Sequence, residues 1–147
     1  MPSSIRQLST FALTVGFLLP SGYSQTPAMS SAKSFSGLQW QQDSDVKCLR
    51  YAVEAGDPDK GPSTHALSFP NGCSFPWHYH TAEEQLEVVR GLVSVQMGKE
   101  APLVLGVGGF ALMPSKELHR FSCASSRGRI AFVHFDRAYD IFWEQKP

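Results

Sequence analysis

His78 and His80 flank Tyr79, and because side chains alternate faces along an extended strand, the two imidazoles project to the same side. Such a pair forms a two-toothed clamp for a cation. Alone it is a weak signal: with five histidines in 147 residues, composition produces an H-x-H by chance in roughly one chain in six. Its surroundings decide whether the clamp means anything.

Those surroundings form a frame: Gly72, five residues, His78-Tyr79-His80, three residues, Glu84, six residues, Gly91. Composition reaches that whole pattern by chance in roughly one chain in ten thousand. It resembles the first motif of the cupin superfamily. A second cupin-like motif follows as Gly108, five residues, Pro114, four residues and His119, with sixteen residues between Gly91 and Gly108. The resemblance covers Leu38 through Trp143 once the flanking strands are included.

The resemblance implies that His78, His80, Glu84 and His119 bind one metal ion. Physical chemistry accepts that set: neutral imidazoles and a carboxylate form a borderline-hard site suited to Fe, Mn, Zn, Ni or Cu, with coordination positions left for water or substrate. Glu83 and Glu87 do not fit the frame and read as solvated carboxylates. Two residues depart from the family pattern. Lys116 stands where the turn usually has glycine, so the turn either avoids positive φ or tolerates it at a cost. Cys123 stands where asparagine usually follows the histidine; alternation with His119 and Phe121 turns it inward, where a packed apolar cysteine is the expectation.

Phe75, Trp77, Tyr79, Phe110, Phe121, Phe132, Phe135, Phe142 and Trp143 supply an aromatic lining, mostly core, with those near the ion excluding water and shaping what fits. His134 alternates with Phe132 and Ile130 and reads as a structural histidine, with an interior base as the alternative. His65, beside a loop, says little.

The elements that must hold these groups are short strands cut by turns. Val46 to Ala55, Ser63 to Phe69, Gln85 to Val89, Leu92 to Met97, Phe110 to Met113, Arg120 to Ala124 and Ile130 to Phe135 read as strands, each bounded by Gly, Pro or Ser. Gly56 through Pro62 is a cluster of chain breakers and must be loop. No ten-residue stretch has a helical period. Strands at this spacing argue an all-β sandwich or barrel, and the resemblance sharpens that to a single jelly-roll-like cupin barrel, a double-stranded β-helix, over residues 38–147.

Before the barrel, Arg6 precedes an apolar run from Phe11 to Leu19 that ends in Pro20-Ser21-Gly22. This is the pattern of a signal peptide over residues 1–24, cleaved after Ser24, because the run is about half the roughly 20 residues a membrane-spanning helix needs. Residues 25–37 then read as a flexible leader. Cys48, Cys73 and Cys123 are odd in number and contain no C-x-x-C pair. Packed thiols are the expectation, with one disulfide open to an exported chain.

Thirteen basic residues balance thirteen acidic ones, which leaves no field to hold a phosphate backbone and excludes nucleic acid as the expected partner. The chain therefore reads as secreted or periplasmic, with no membrane attachment after cleavage and a homodimer as the family's usual assembly. Its expected function is an oxygenase-type enzyme that uses one divalent transition metal on a small organic molecule. The alternative is a non-catalytic, metal-dependent module that binds or senses such a molecule.

Overall fold

The computed structural model describes residues 30–124 and 128–145. The expected signal peptide and the first part of the leader lie outside the described residues. A single 3-10 turn at Phe35–Gly37 precedes eleven strands: β1 (Gln41–Gln42), β2 (Arg50–Gly56), β3 (Ser63–Phe69), β4 (Ser74–Tyr79), β5 (Glu84–Arg90), β6 (Val93–Met97), β7 (Leu103–Leu105), β8 (Phe110–Met113), β9 (His119–Cys123), β10 (Arg129–Phe135) and β11 (Phe142–Trp143). All pairings are antiparallel. One sheet runs β1-β2-β3-β10-β5-β8 and the other β11-β4-β9-β6-β7. This is the expected all-β cupin barrel.

Alternation of side chains sets the interior. In the first sheet, Ser63, His65, Leu67 and Phe69 of β3 face inward beside Ala131, Val133 and Phe135 of β10, which in turn pair with Val88, Leu86 and Glu84 of β5. In the second, Phe121 of β9 lies between Phe75 of β4 and Val95 of β6. The two inner faces meet in one apolar cluster that includes Leu67, Phe69, Leu86, Val88, Val93 and Phe121. Burying such side chains stabilises a domain by about 1.5–3 kcal/mol each before conformational entropy is subtracted.

Strands β3 and β8 run between the residues expected. Strand β2 starts at Arg50 rather than Val46, because Asp43 Oδ1 accepts the backbone N–H groups of Asp45 (2.9 Å) and Val46 (2.6 Å) and folds that segment into a turn. Short β7 escapes sequence reading, since its three residues Leu103, Val104 and Leu105 are too few to show alternation.

The cysteines need correction. Cys48 and Cys73 form a disulfide, with their Cα atoms 5.7 Å apart, in place of two packed thiols. The strand expected around Cys48 is instead a loop, which brings the cysteine to the turn after β3. Cys123 keeps its thiol and faces inward as expected, in the apolar cluster, where Arg129 Nη1 also donates to its sulfur.

Candidate metal centre

The strand that carries the histidine clamp does not alternate regularly. Phe75 pairs with Phe121 and His78 with His119, so three residues of β4 advance against two of β9. This bulge rephases the strand, turning both Phe75 and His78 into the barrel although an odd number separates them. Pro76 sits in the bulge, where its missing N–H leaves no gap in the ladder. His80 lies just past the strand end, so the clamp is made by a bulged strand and its exit.

His78 faces His119 across the β4–β9 pair, while Glu84 begins β5 on the opposite sheet. All four side chains are at most 3% exposed, and one potential ligand atom from each lies within 4.8 Å of every other. Glu84 Oε2 is 3.2 Å from His80 Nε2 and 3.1 Å from His119 Nε2. Thus the set of three histidines and one glutamate implied by the resemblance is brought together at one end of the barrel. Glu87 is exposed and Glu83 half-buried; both stand apart from the cluster.

Each imidazole is oriented from behind. His78 Nδ1 donates to the Pro76 carbonyl (2.7 Å), His119 Nδ1 to the Glu117 carbonyl (2.8 Å), and His80 Nδ1 to the Asp140 carbonyl. A carbonyl only accepts, so all three Nδ1 atoms carry protons and every neutral ring offers its Nε2 lone pair. Lone pairs and a carboxylate converging in a buried space repel unless a cation lies among them, either a proton or a metal ion. The donor set therefore fits a divalent transition metal, with the backbone contacts that such ligands require already made.

The electrostatics agree. Burial, with the neighbouring His119 adding to it, pushes His78 down to about 4, so its ring stays neutral near neutral pH. Burial works against charge on His80 too, but its contacts with Glu84 prevail and raise it. For Glu84, burial alone favours the neutral acid; the hydrogen bonds from His119 and His80 outweigh it and hold the carboxyl below the usual range.

A cavity of about 300 Å³ opens onto His78, His80 and Glu84. Of the aromatic residues expected to line it, Phe75, Phe121, Phe135 and Trp143 do so; Trp77, Tyr79, Phe110, Phe132 and Phe142 do not. Tyr51 and Tyr139 join the walls unforeseen. His134 is neither an interior base nor a buried ring: it is exposed, with Nδ1 3.2 Å from Thr64 Oγ1. His65 was the more informative histidine. It lines the cavity, 3.0 Å from Ser63 Oγ and with its ring centroid 5.4 Å from that of Phe135. The signal was present in β3, where Ser63, His65, Leu67 and Phe69 share one face.

Two facing antiparallel sheets with three histidines and a glutamate gathered at one end define a small β-barrel with a buried cluster that could hold a metal ion. Residues 67–135 match the cupin-domain family, and the two-sheet architecture is the cupin fold. No curated protein matches the sequence. Similar solved structures include the polyketide cyclase RemF from Streptomyces resistomycificus, with a TM-score of 0.67 and 16% identity over 81% of this chain and 90% of that one. The DMSP lyase DddQ from Ruegeria pomeroyi gives 0.63 and 19% over 76% of this chain and 63% of the lyase, so this chain spans less than two thirds of that enzyme. KdgF from Halomonas sp. gives 0.61 and 18% over 73% and 95%. At such identities the likeness is one of fold, and function has to be argued from the site.

Proposed function

We propose that this chain is an exported, mononuclear metal-binding cupin that acts as an oxygenase-type enzyme on a small organic molecule. The observation that carries the reading is the convergence of three backbone-oriented Nε2 atoms and the Glu84 carboxylate at the buried end of a cavity with room for a ligand. A divalent ion bound there supplies Lewis acidity, and iron or manganese adds one-electron chemistry toward dioxygen. The chain's own residues orient the ligands and exclude water through Phe75, Phe121 and Phe135. They also leave one side of the cluster facing the cavity.

Export is supported by the sequence pattern over residues 1–24 and by the Cys48–Cys73 disulfide, which suits an oxidising compartment. Mass spectrometry of secreted or periplasmic material should find a mature chain starting at Gln25. Homodimerisation is supported by open edges: β7 and β8 each end a sheet, with Leu103 and Val104 on one and Phe110 and Leu112 on the other exposed. Light scattering on the parent and on Phe110→Lys tests it.

Metal analysis of protein purified without chelator, followed by oxygen-uptake screening against small organic substrates, tests the central reading. One bound transition metal per chain, lost in His80→Ala but kept in Glu87→Gln, together with substrate-dependent oxygen uptake, is the expected result. Metal without turnover would favour the binding or sensing module instead. Full metal content in His80→Ala would remove that residue from the ligand set.

A further inference from the structure

The cavity above the metal cluster has a charge asymmetry that the ligand set does not explain. Besides Glu84, three carboxylates line it, Asp43, Asp45 and Asp59, while no lysine or arginine does among the described residues. The chain as a whole is neutral, so this negative charge is local to the site. Asp45 and Asp59 are exposed and Asp43 half-buried, which puts them at the solvent end, opposite the buried ligands. Other surface carboxylates, Glu54, Asp57 and Asp136, are ion-paired with Lys33, Lys60 and Arg137. None of the three at the cavity has such a partner among the described residues.

Two further observations point to a ligand. His65 is only 7% exposed and lines the cavity; Ser63 meets its Nε2, but its Nδ1 has no protein partner among the described residues. Burial lowers its proton affinity, so the ring adds no positive charge to offset the carboxylates. The cavity wall also carries Tyr51, Tyr139 and Trp143, whose electron-rich faces favour cations.

Resting on the reading of the cluster as a metal centre, we infer that the cavity takes a small organic cation. Oxygen donors at one end of the molecule face the metal, and a protonated amine at the other lies among Asp43, Asp45 and Asp59. A small organic anion lacks any basic partner along the walls and meets the carboxylates at the entrance. Its only favourable charge contact is at the cluster itself.

Three catechols separate charge from chelation, because they share one metal-binding end and differ in the tail: neutral catechol, cationic dopamine and anionic 3,4-dihydroxyphenylacetate. Titration calorimetry on the zinc-loaded full chain at low salt should show dopamine tightest and dihydroxyphenylacetate weakest. We expect about tenfold or more between them. Asp45→Asn/Asp59→Asn, which changes only exposed groups, should cut that ratio at least to about a third, as should 0.5 M salt, through screening. Glu87→Gln on the outer face should leave it unchanged. Catechol binding with no preference for the cationic tail would overturn the inference while leaving the metal centre intact. Failure of all three to bind, or equal binding to metal-free protein, would overturn the metal-centre reading and this inference with it.

Discussion

His80 and Asp140, sixty residues apart, are joined twice: the His80 Nδ1 donates to the Asp140 carbonyl, and the Asp140 carboxylate accepts the N–H (2.7 Å) and hydroxyl of Thr81, the residue following His80. The segment after β10 thereby fixes a ligand that lies beyond the end of its own strand. Backing contacts of this kind are worth about 10–100-fold in metal affinity. Asp140→Ala keeps the carbonyl that accepts His80 Nδ1 but releases Thr81, so it should weaken metal binding by less than the roughly tenfold loss that removal of the backing contact itself would give, while the barrel stays folded, as read by metal competition and circular dichroism. Glu144→Ala, which removes an exposed carboxylate farther along the same segment, should bind metal as the parent does. Equal affinity in the two variants would show that His80 is placed without the contacts between Asp140 and Thr81.

How much of this was legible in the sequence depends on the range of the interaction. Local periodicity exposed most strands, because a barrel strand must alternate, and the resemblance of the two motifs to the cupin pattern exposed the candidate ligands, because a ligand must stand at a fixed place along its strand. The β4 bulge was not legible: alternation from His78 would have turned Phe75 outward, and only the pairing with β9 shows the extra residue. His65 and Tyr139 were missed for a related reason. They reach the cavity from β3 and from the segment after β10, far from either motif. The disulfide likewise depends on a loop closing over twenty-five positions, which cysteine counting cannot see.

Proton competition at the cluster follows from the shifts of the metal-free protein. His78, at about 4, is neutral well below neutral pH, and Glu84 is ionised; His80, raised by Glu84, holds a proton in weakly acidic solution. A metal ion needs the neutral His80 ring, so binding at about pH 5.5 should release about one proton per ion from this pair. Affinity should rise with pH until the His80 proton is gone and then level off. Calorimetry in buffers of different ionisation enthalpy counts the protons. Release of two would mean that a second ligand ring is also charged in the metal-free protein.

The Cys48–Cys73 bond ties the Asp43–Leu49 turn, which bears part of the cavity wall, to the turn after β3. Closing a loop of that length restricts the unfolded chain, and its loss should cost about 3 kcal/mol. Denaturant unfolding of Cys48→Ala/Cys73→Ala against the oxidised parent measures this. All four candidate metal ligands, His78, His80, Glu84 and His119, sit outside the closed loop, so metal stoichiometry should persist in the variant. Loss of less than about 1 kcal/mol would show that the turn is already held by Asp43 and by the burial of Val46 and Leu49.

Lys116 has φ of 66°, the one positive value among described non-glycine residues. It occupies the third place of a turn closed by the Glu117 N–H on the Pro114 carbonyl (2.9 Å), a position that in such turns requires positive φ and favours glycine. The turn thus keeps its shape despite the lysine. Its geometry is worth keeping because the Lys116 N–H donates to the His80 carbonyl (2.8 Å) and the Glu117 carbonyl accepts His119 Nδ1, so one turn braces two ligands. A left-handed backbone costs a non-glycine residue about 1–2 kcal/mol, and glycine's greater freedom in the unfolded chain returns about 0.5–1 of that. Lys116→Gly should therefore stabilise the fold by up to about 1 kcal/mol in denaturant unfolding, since the exposed lysine side chain makes no hydrogen bond or ion pair among the described residues. Metal affinity should not change. Lys116→Val, branched at Cβ, should destabilise the protein and weaken metal binding together, because the strain then falls on the turn that holds His80 and His119. A glycine variant less stable than the parent would mean that the lysine conformation carries no strain.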